Sequence, residues 1–257
     1  MMTVRTTVRD PRSHWRASGR SAARRLAVAS CVGAVLGLLV GGIGGRLFMG
    51  LLARLNTEDH GVITSDGFPM GELTAAGTAN LLLVGTALGV LGAGIYVTLR
   101  GLTVGPRWFR RLSVAVGGTV MVGAVLVHED GPDFTLLEPT WAAIALTLAA
   151  PFVFCLAVGP AVDRAVGDGS RPMRTPVTWI GLVPWAFPLF AATPLVVGAW
   201  LVGHAVSSRP TDSTIRRIGP WVARAVLVAL FLAGASRLGS QIAAIYETVS
   251  QGRHLLD

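Results

Sequence analysis

The run Leu26–Gly45, LAVASCVGAVLGLLVGGIGG, constrains this chain most: twenty residues without a charge, with Arg24-Arg25 before it and Arg46 directly after. At a rise of about 1.5 Å per residue it is roughly 30 Å long, the thickness of a bilayer's hydrocarbon core. Within it Gly33, Gly37, Gly41 and Gly45 recur every fourth residue. Small residues at that spacing leave a groove that a second helix backbone can enter, and in lipid such packing drives helices together where hydrophobicity cannot. Successive i, i+4 positions drift by about 40° on an α-helix, so the row winds by about 120° from Gly33 to Gly45. The winding predicts a partner that crosses at an angle, with Leu38 and Leu39 on the other side.

The expected partner is the second apolar run, Ala75–Leu99, whose Gly85, Gly89 and Ala93 repeat the four-residue spacing. Asn80 and Thr86 within it are expected to hydrogen-bond to a neighbouring helix. Leu112–Val127 reads as a short third span, Thr140–Val162 as a fourth with Pro151 inside it, and Ile218–Ile245 as a last one. Arg224 and Arg237 in that last span are close enough to its ends to snorkel. The fifth run, Val177–Val206, has thirty residues and contains Pro184, Pro188 and Pro194. It is either one tilted, broken helix that crosses once, the favoured reading, or a re-entrant pair. The expected fold is all-α, a polytopic transmembrane bundle of about six helices. Residues 1–25 form a basic tail, 26–246 the membrane domain and 247–257 a polar C-terminal tail.

Composition enters where it excludes. Apolar residues make up 52% and charged residues 14%, too few charges for a domain dissolved in water. The net charge of +8 does not indicate nucleic acid, because the arginines flank apolar runs and meet lipid headgroups there. The expected partners are the bilayer itself and anionic headgroups along the N-terminal tail. Other membrane proteins, or a second copy of the chain, complete the set. Arg5, Arg9, Arg12, Arg16, Arg20 and Arg24 follow a helical rhythm, yet Pro11 interrupts the register. The tail therefore reads as disordered and lipid-attracted, with a surface helix as the alternative. Segments 1–25, 100–111 and 164–174 hold fourteen Arg, whereas loops 57–74 and 128–140 hold none and carry eight acids. That asymmetry predicts a cytoplasmic N-terminus. A single crossing by the fifth run would put Arg209, Arg216 and Arg217 outside; a re-entrant run returns them to the cytoplasm.

Residues with chemistry to offer are few. Cys31 and Cys155 lie inside apolar runs and read as small hydrophobes. His60 sits near Glu58, Asp59 and Asp66, and His128 near Glu129, Asp130 and Asp133, without the ligand spacing of a metal site. No metal or other cofactor is expected. Arg46, at the end of the glycine row, is the best ionisable candidate: it pairs with Asp66 or Asp133, receives an anion, or snorkels. P-loop, dinucleotide, zinc-protease and nucleophile-elbow motifs are all missing, so an enzyme is not expected. The reading is a non-enzymatic packing or interaction protein. Its alternative is a small transporter or channel using Arg46 and the Pro-broken fifth run.

The segments GGRLFMGLLARLN, SDGFPMGELTAAGTANLLLVGTALGVLGAGIY and VHEDGPDFTLLEPTW resemble parts of uncharacterised multi-pass membrane proteins of high-GC Gram-positive bacteria. The resemblance covers roughly residues 41–163. It implies a helical protein of the inner membrane and no particular reaction.

Overall fold

Nothing in the first apolar run interrupts a helix, and a single rod extends well beyond it at both ends. The computed structural model describes residues 11–55, 74–129, 134, 139–167, 169–186, 194, 198 and 214–254. In the rod, α1 (Pro11–Gly37) passes into a π-helical stretch, Leu38–Gly44, and then into α2 (Gly45–Leu55). Residues 11–25, expected to be a tail, are thus the start of the first helix. Pro11 is its first residue, where the missing N–H has no intrahelical partner to lose.

The second helix, α3 (Ala75–Leu99), keeps the limits of its apolar run. It starts on Thr74, whose hydroxyl accepts from the Gly77 amide at 3.1 Å. Next come α4 (Arg107–Leu126) and α5 (Thr140–Ala165), which continues through Pro151 and Pro160. Short elements follow: α6 (Arg171–Arg174), a 3₁₀ helix (Pro176–Leu182) and α7 (Val183–Ala186). The last helix, α8 (Thr214–His254), has 41 residues and takes in most of the expected polar tail. The rod, α3, α4, α5 and α8 are each long and apolar enough to cross a membrane. This is an all-α, multi-pass membrane protein, without a strand among the described residues.

Two apolar cores define the two ends. Val28, Ala29, Ala93, Val158 and Val162 pack at the end marked by Arg24. Ala53, Ala124, Val127, Ile144 and Ile245 pack at the end marked by Arg46. Leu26 through Ser30 are five consecutive buried residues, so the rod is surrounded there on every side. Large residues such as Leu47, Leu83 and Val125 are about 70% exposed, which suits contact with lipid tails.

Of the fifth run only residues 177–186, 194 and 198 are described, so the favoured single crossing lies outside the described residues. The start of the run is held at the Arg24 end: Arg24 donates from Nε to the Met173 carbonyl at 2.6 Å and from Nη2 to the Thr175 carbonyl at 3.0 Å. Its guanidinium also lies 5.4 Å from the Trp179 ring centre. The indole N–H of Trp185 donates to Ser30 Oγ at 2.8 Å, and Gly181 lies against the Ala27 carbonyl. The α8 helix begins at that same end, where Arg224 Nε donates to the Leu102 carbonyl at 2.9 Å just past α3. At the other end the Gln241 side chain accepts from the Glu129 amide at 3.0 Å, and Ile245 enters the far core. Helix α8 therefore runs parallel to α4. Thr175 and Arg224 are both held at the Arg24 end. Among the described residues five helices are long and apolar enough to cross a membrane, where about six were expected. Residues 187–193, 195–197 and 199–213, with Pro188, lie outside the described residues.

Candidate functional site

The row singled out in sequence lies against α3. A Cβ added to Gly33 would overlap the Gly89 carbonyl and come within 2.5 Å of Ala93 Cβ. At Gly37 it would overlap the Gly85 carbonyl and lie 2.7 Å from Gly89 Cα; at Gly41 it would lie 3.0 Å from Gly85 Cα. At Gly45 the neighbour is the Leu81 side chain, at 3.1 Å. The two helices are antiparallel, backbone on backbone, while Leu38 and Leu39 are exposed.

The expected 120° winding is reduced by the π-helical stretch. Its hydrogen bonds span five residues, so a four-residue step falls short of a full turn and drifts back. The same widening turns Gly42 towards α3, where a Cβ would lie 2.8 Å from Leu82 Cδ2. Gly41, Gly42 and Gly45 consequently all face the partner that Gly33 and Gly37 face. Thr86 does not bond across the seam; its hydroxyl donates to Leu82 of its own helix at 2.7 Å, and Asn80 is exposed. Thr98, Thr119 and Thr147 likewise donate to carbonyls four residues back.

Arg46 is half-buried at the start of α2. Its Nη2 lies 3.4 Å from the Thr74 carbonyl at the head of α3, and its Nε is buried without a hydrogen-bond partner among the described residues. Asp66, Asp133 and His60 lie outside the described residues. His128 Nδ1 is 2.9 Å from the Leu126 carbonyl, and its ring meets Phe134 edge-on. Among the described residues no three His, Cys, Asp or Glu side chains gather where a metal could sit. Cys31 and Cys155 are free thiols, and Cys155 Sγ fills the space over Gly118. Arg224 is fixed, bonded to Leu102 and 5.1 Å from the Trp221 ring centre, whereas Arg237 is exposed.

A polar cleft lies at the Arg24 end, lined by arginines that read in the sequence only as a topological signal. An open cleft of about 670 Å³ lies between α3, the loop after it, α4 and α5. Arg100, Arg107, Arg110, Arg111 and Arg164 line it, with Asp163 as the lining carboxylate. Asp163 accepts from the Tyr96 hydroxyl at 2.9 Å and pairs with Arg100 at 3.7 Å. Val114, Cys155, Gly159 and Pro160 also line the cleft and make part of it apolar. Positions 107, 110, 111 and 114 share one face of α4, a helical spacing visible in the sequence. Only the fold brings Asp163 and Tyr96 opposite that face.

The fold and this cleft define a class, a polytopic helical membrane protein with a basic cleft at one end. Comparison with protein-family models, with curated proteins and with solved structures finds no match to this chain.

Proposed function

We propose that this chain is a non-enzymatic protein of a bacterial plasma membrane, N-terminus in the cytoplasm, that acts by binding other membrane components. The observation that carries this reading is where polar groups are used. At membrane depth Thr86, Thr98, Thr119 and Thr147 all turn back onto their own helices, and the α1–α3 seam is closed by backbone contact. A solute pathway needs polar groups turned inward; here Arg100, Arg107, Arg110, Arg111 and Arg164 gather in the cleft at one end. The orientation draws on the fourteen Arg of segments 1–25, 100–111 and 164–174; the reading takes a five-span path, with Thr175 and Arg224 at one face, which adds Arg216 and Arg217 at the start of α8.

Single cysteines in a Cys31→Ala/Cys155→Ala background test the orientation. Ser250→Cys reacts with a membrane-impermeant thiol reagent in intact cells, and Val104→Cys reacts only after the cells are opened. The reverse pattern overturns the orientation, and protection of both overturns the five-span path. A transporter is the second reading, favoured by the buried, unbonded Nε of Arg46. Anion flux into sealed vesicles that Arg46→Gln abolishes would replace the interaction reading with it.

A further inference from the structure

The cleft at the Arg24 end combines three properties that topology alone does not require. First, its charge is unbalanced: among the described residues five guanidiniums line it with one carboxylate, already engaged by Arg100 and the Tyr96 hydroxyl. Arg107, Arg110 and Arg111 are exposed and have no carboxylate partner among the described residues. Second, those three arginines lie in the first turns of α4, at the positive pole of a 20-residue helix whose N-cap, Pro106, offers no side-chain cap. Cations at that pole are unfavourable, and an anion bound among them relieves both the repulsion and the dipole. Third, the lining is amphipathic. Guanidiniums lie beside Val114, Cys155, Gly159 and Pro160, and Trp108 and Phe109 are exposed in the same first turn of α4. A fully hydrated anion has no use for the apolar part, whereas an amphiphile fills both. Aromatic side chains of this kind sit at the headgroup level of a bilayer.

We propose that this cleft binds the phosphate of an anionic lipid headgroup. Arg107, Arg110 and Arg111 clamp the phosphate oxygens, Arg100 and Arg164 face them, and the apolar residues take the first carbons of the lipid. Guanidinium forks match phosphate oxygens two at a time, which a diffuse basic surface does not do. The inference deepens the proposed interaction role by naming a partner. It does not depend on which face of the membrane the cleft occupies, so thiol labelling can fail without touching it.

The test uses the full chain in nanodiscs of phosphatidylcholine, with and without cardiolipin, reading retained lipid by native mass spectrometry and stability by thermal melting. Cardiolipin stays bound to the wild type and raises its melting temperature. The triple variant Arg107→Gln/Arg110→Gln/Arg111→Gln retains at least about tenfold less. A charge-matched control at the same end, Arg20→Gln/Arg171→Gln/Arg174→Gln, retains it as the wild type does. The Arg→Lys triple at 107, 110 and 111 keeps the charge but not the fork geometry, and falls between them. Equal losses in cleft and control variants overturn the site and leave only diffuse attraction. Inorganic pyrophosphate in pure phosphatidylcholine nanodiscs separates the sources. If it stabilises the wild type but not the cleft triple while cardiolipin does nothing, the lipid assignment is overturned in favour of a soluble phosphate. The three arginines are exposed, so melting in phosphatidylcholine alone should match the wild type. A collapsed fold there would also count against the proposal, by making these side chains structural.

Discussion

Two seams of this bundle use glycine in different ways. Between α1 and α3, the place that a Gly33 or Gly37 side chain would occupy is taken by the backbone carbonyls of Gly89 and Gly85. Between α4 and α5 it is taken by the ends of side chains: Cys155 Sγ over Gly118, and Leu148 Cδ2 at 2.5 Å over Gly123. Contact with α8 follows the second pattern, with Met121 Sδ 3.1 Å from the Gly234 position. A backbone carbonyl inside a helix cannot move without moving the helix, while a side chain can rotate or be shortened. The first seam is therefore rigid in its demand for glycine, and the second is negotiable.

The largest effect expected is at the rigid seam. Gly37→Ala and Gly89→Ala each cost about 3 kcal/mol or more, the upper range for overpacking, and leucine at either site costs more still. Unfolding in detergent, followed by circular dichroism over a denaturant series, measures it. Unchanged midpoints would mean that the helices separate at little cost and that the seam is not what holds the rod.

A smaller effect is expected at the negotiable seam. Gly118→Ala costs about 1 kcal/mol, and adding Cys155→Ala restores most of it because the obstacle is the thiol itself. A double-mutant cycle gives the coupling directly. No truncation in α3 should rescue Gly37→Ala in the same way, since Gly85 has no side chain to remove. Rescue at the first seam, or none at the second, would break the distinction.

The smallest effect serves as the reference. Gly117 adjoins Gly118 in the same helix, yet a Cβ there meets nothing within 4 Å. Gly117→Ala should leave stability within about 0.5 kcal/mol of the wild type or raise it slightly, because alanine favours the helix more than glycine. A loss as large as that of Gly118→Ala would show that α4 tolerates no substitution, and would erase the contrast between neighbours.

Much of this could be read in advance, for identifiable reasons. A run of uncharged residues of bilayer length can satisfy its backbone only as a helix, so Ala75–Leu99 kept its limits, while α4 began at Arg107 rather than Leu112 and α5 ended at Ala165 rather than Val162. The glycine spacing pointed to α3 because four-residue periodicity places residues on one face wherever the helix goes. The Leu38–Gly44 π-helical stretch was not legible. Five nearby glycines permit it, but its position depends on keeping Gly41, Gly42 and Gly45 against Gly85, Leu82 and Leu81. Arg24 illustrates the same limit: it read as part of a lipid-attracted tail, while the fold spends it on Met173, Thr175 and Trp179.

The sequence by itself determined that this chain is helical, apolar along runs of bilayer length and asymmetric in its arginines. Those are properties of consecutive residues and of the solvent they require. Tertiary structure decided the rest. The placement of the 3₁₀ helix and of α8 depends on Trp185 reaching Ser30 and on Arg224 reaching Leu102, contacts 155 and 122 residues apart in the chain. The cleft depends on Asp163 and Tyr96, 67 residues apart, meeting across from the arginines of α4. Local periodicity carries no information about such distant pairings. They form where packed spans bring a donor within reach of an acceptor that a neighbouring helix presents.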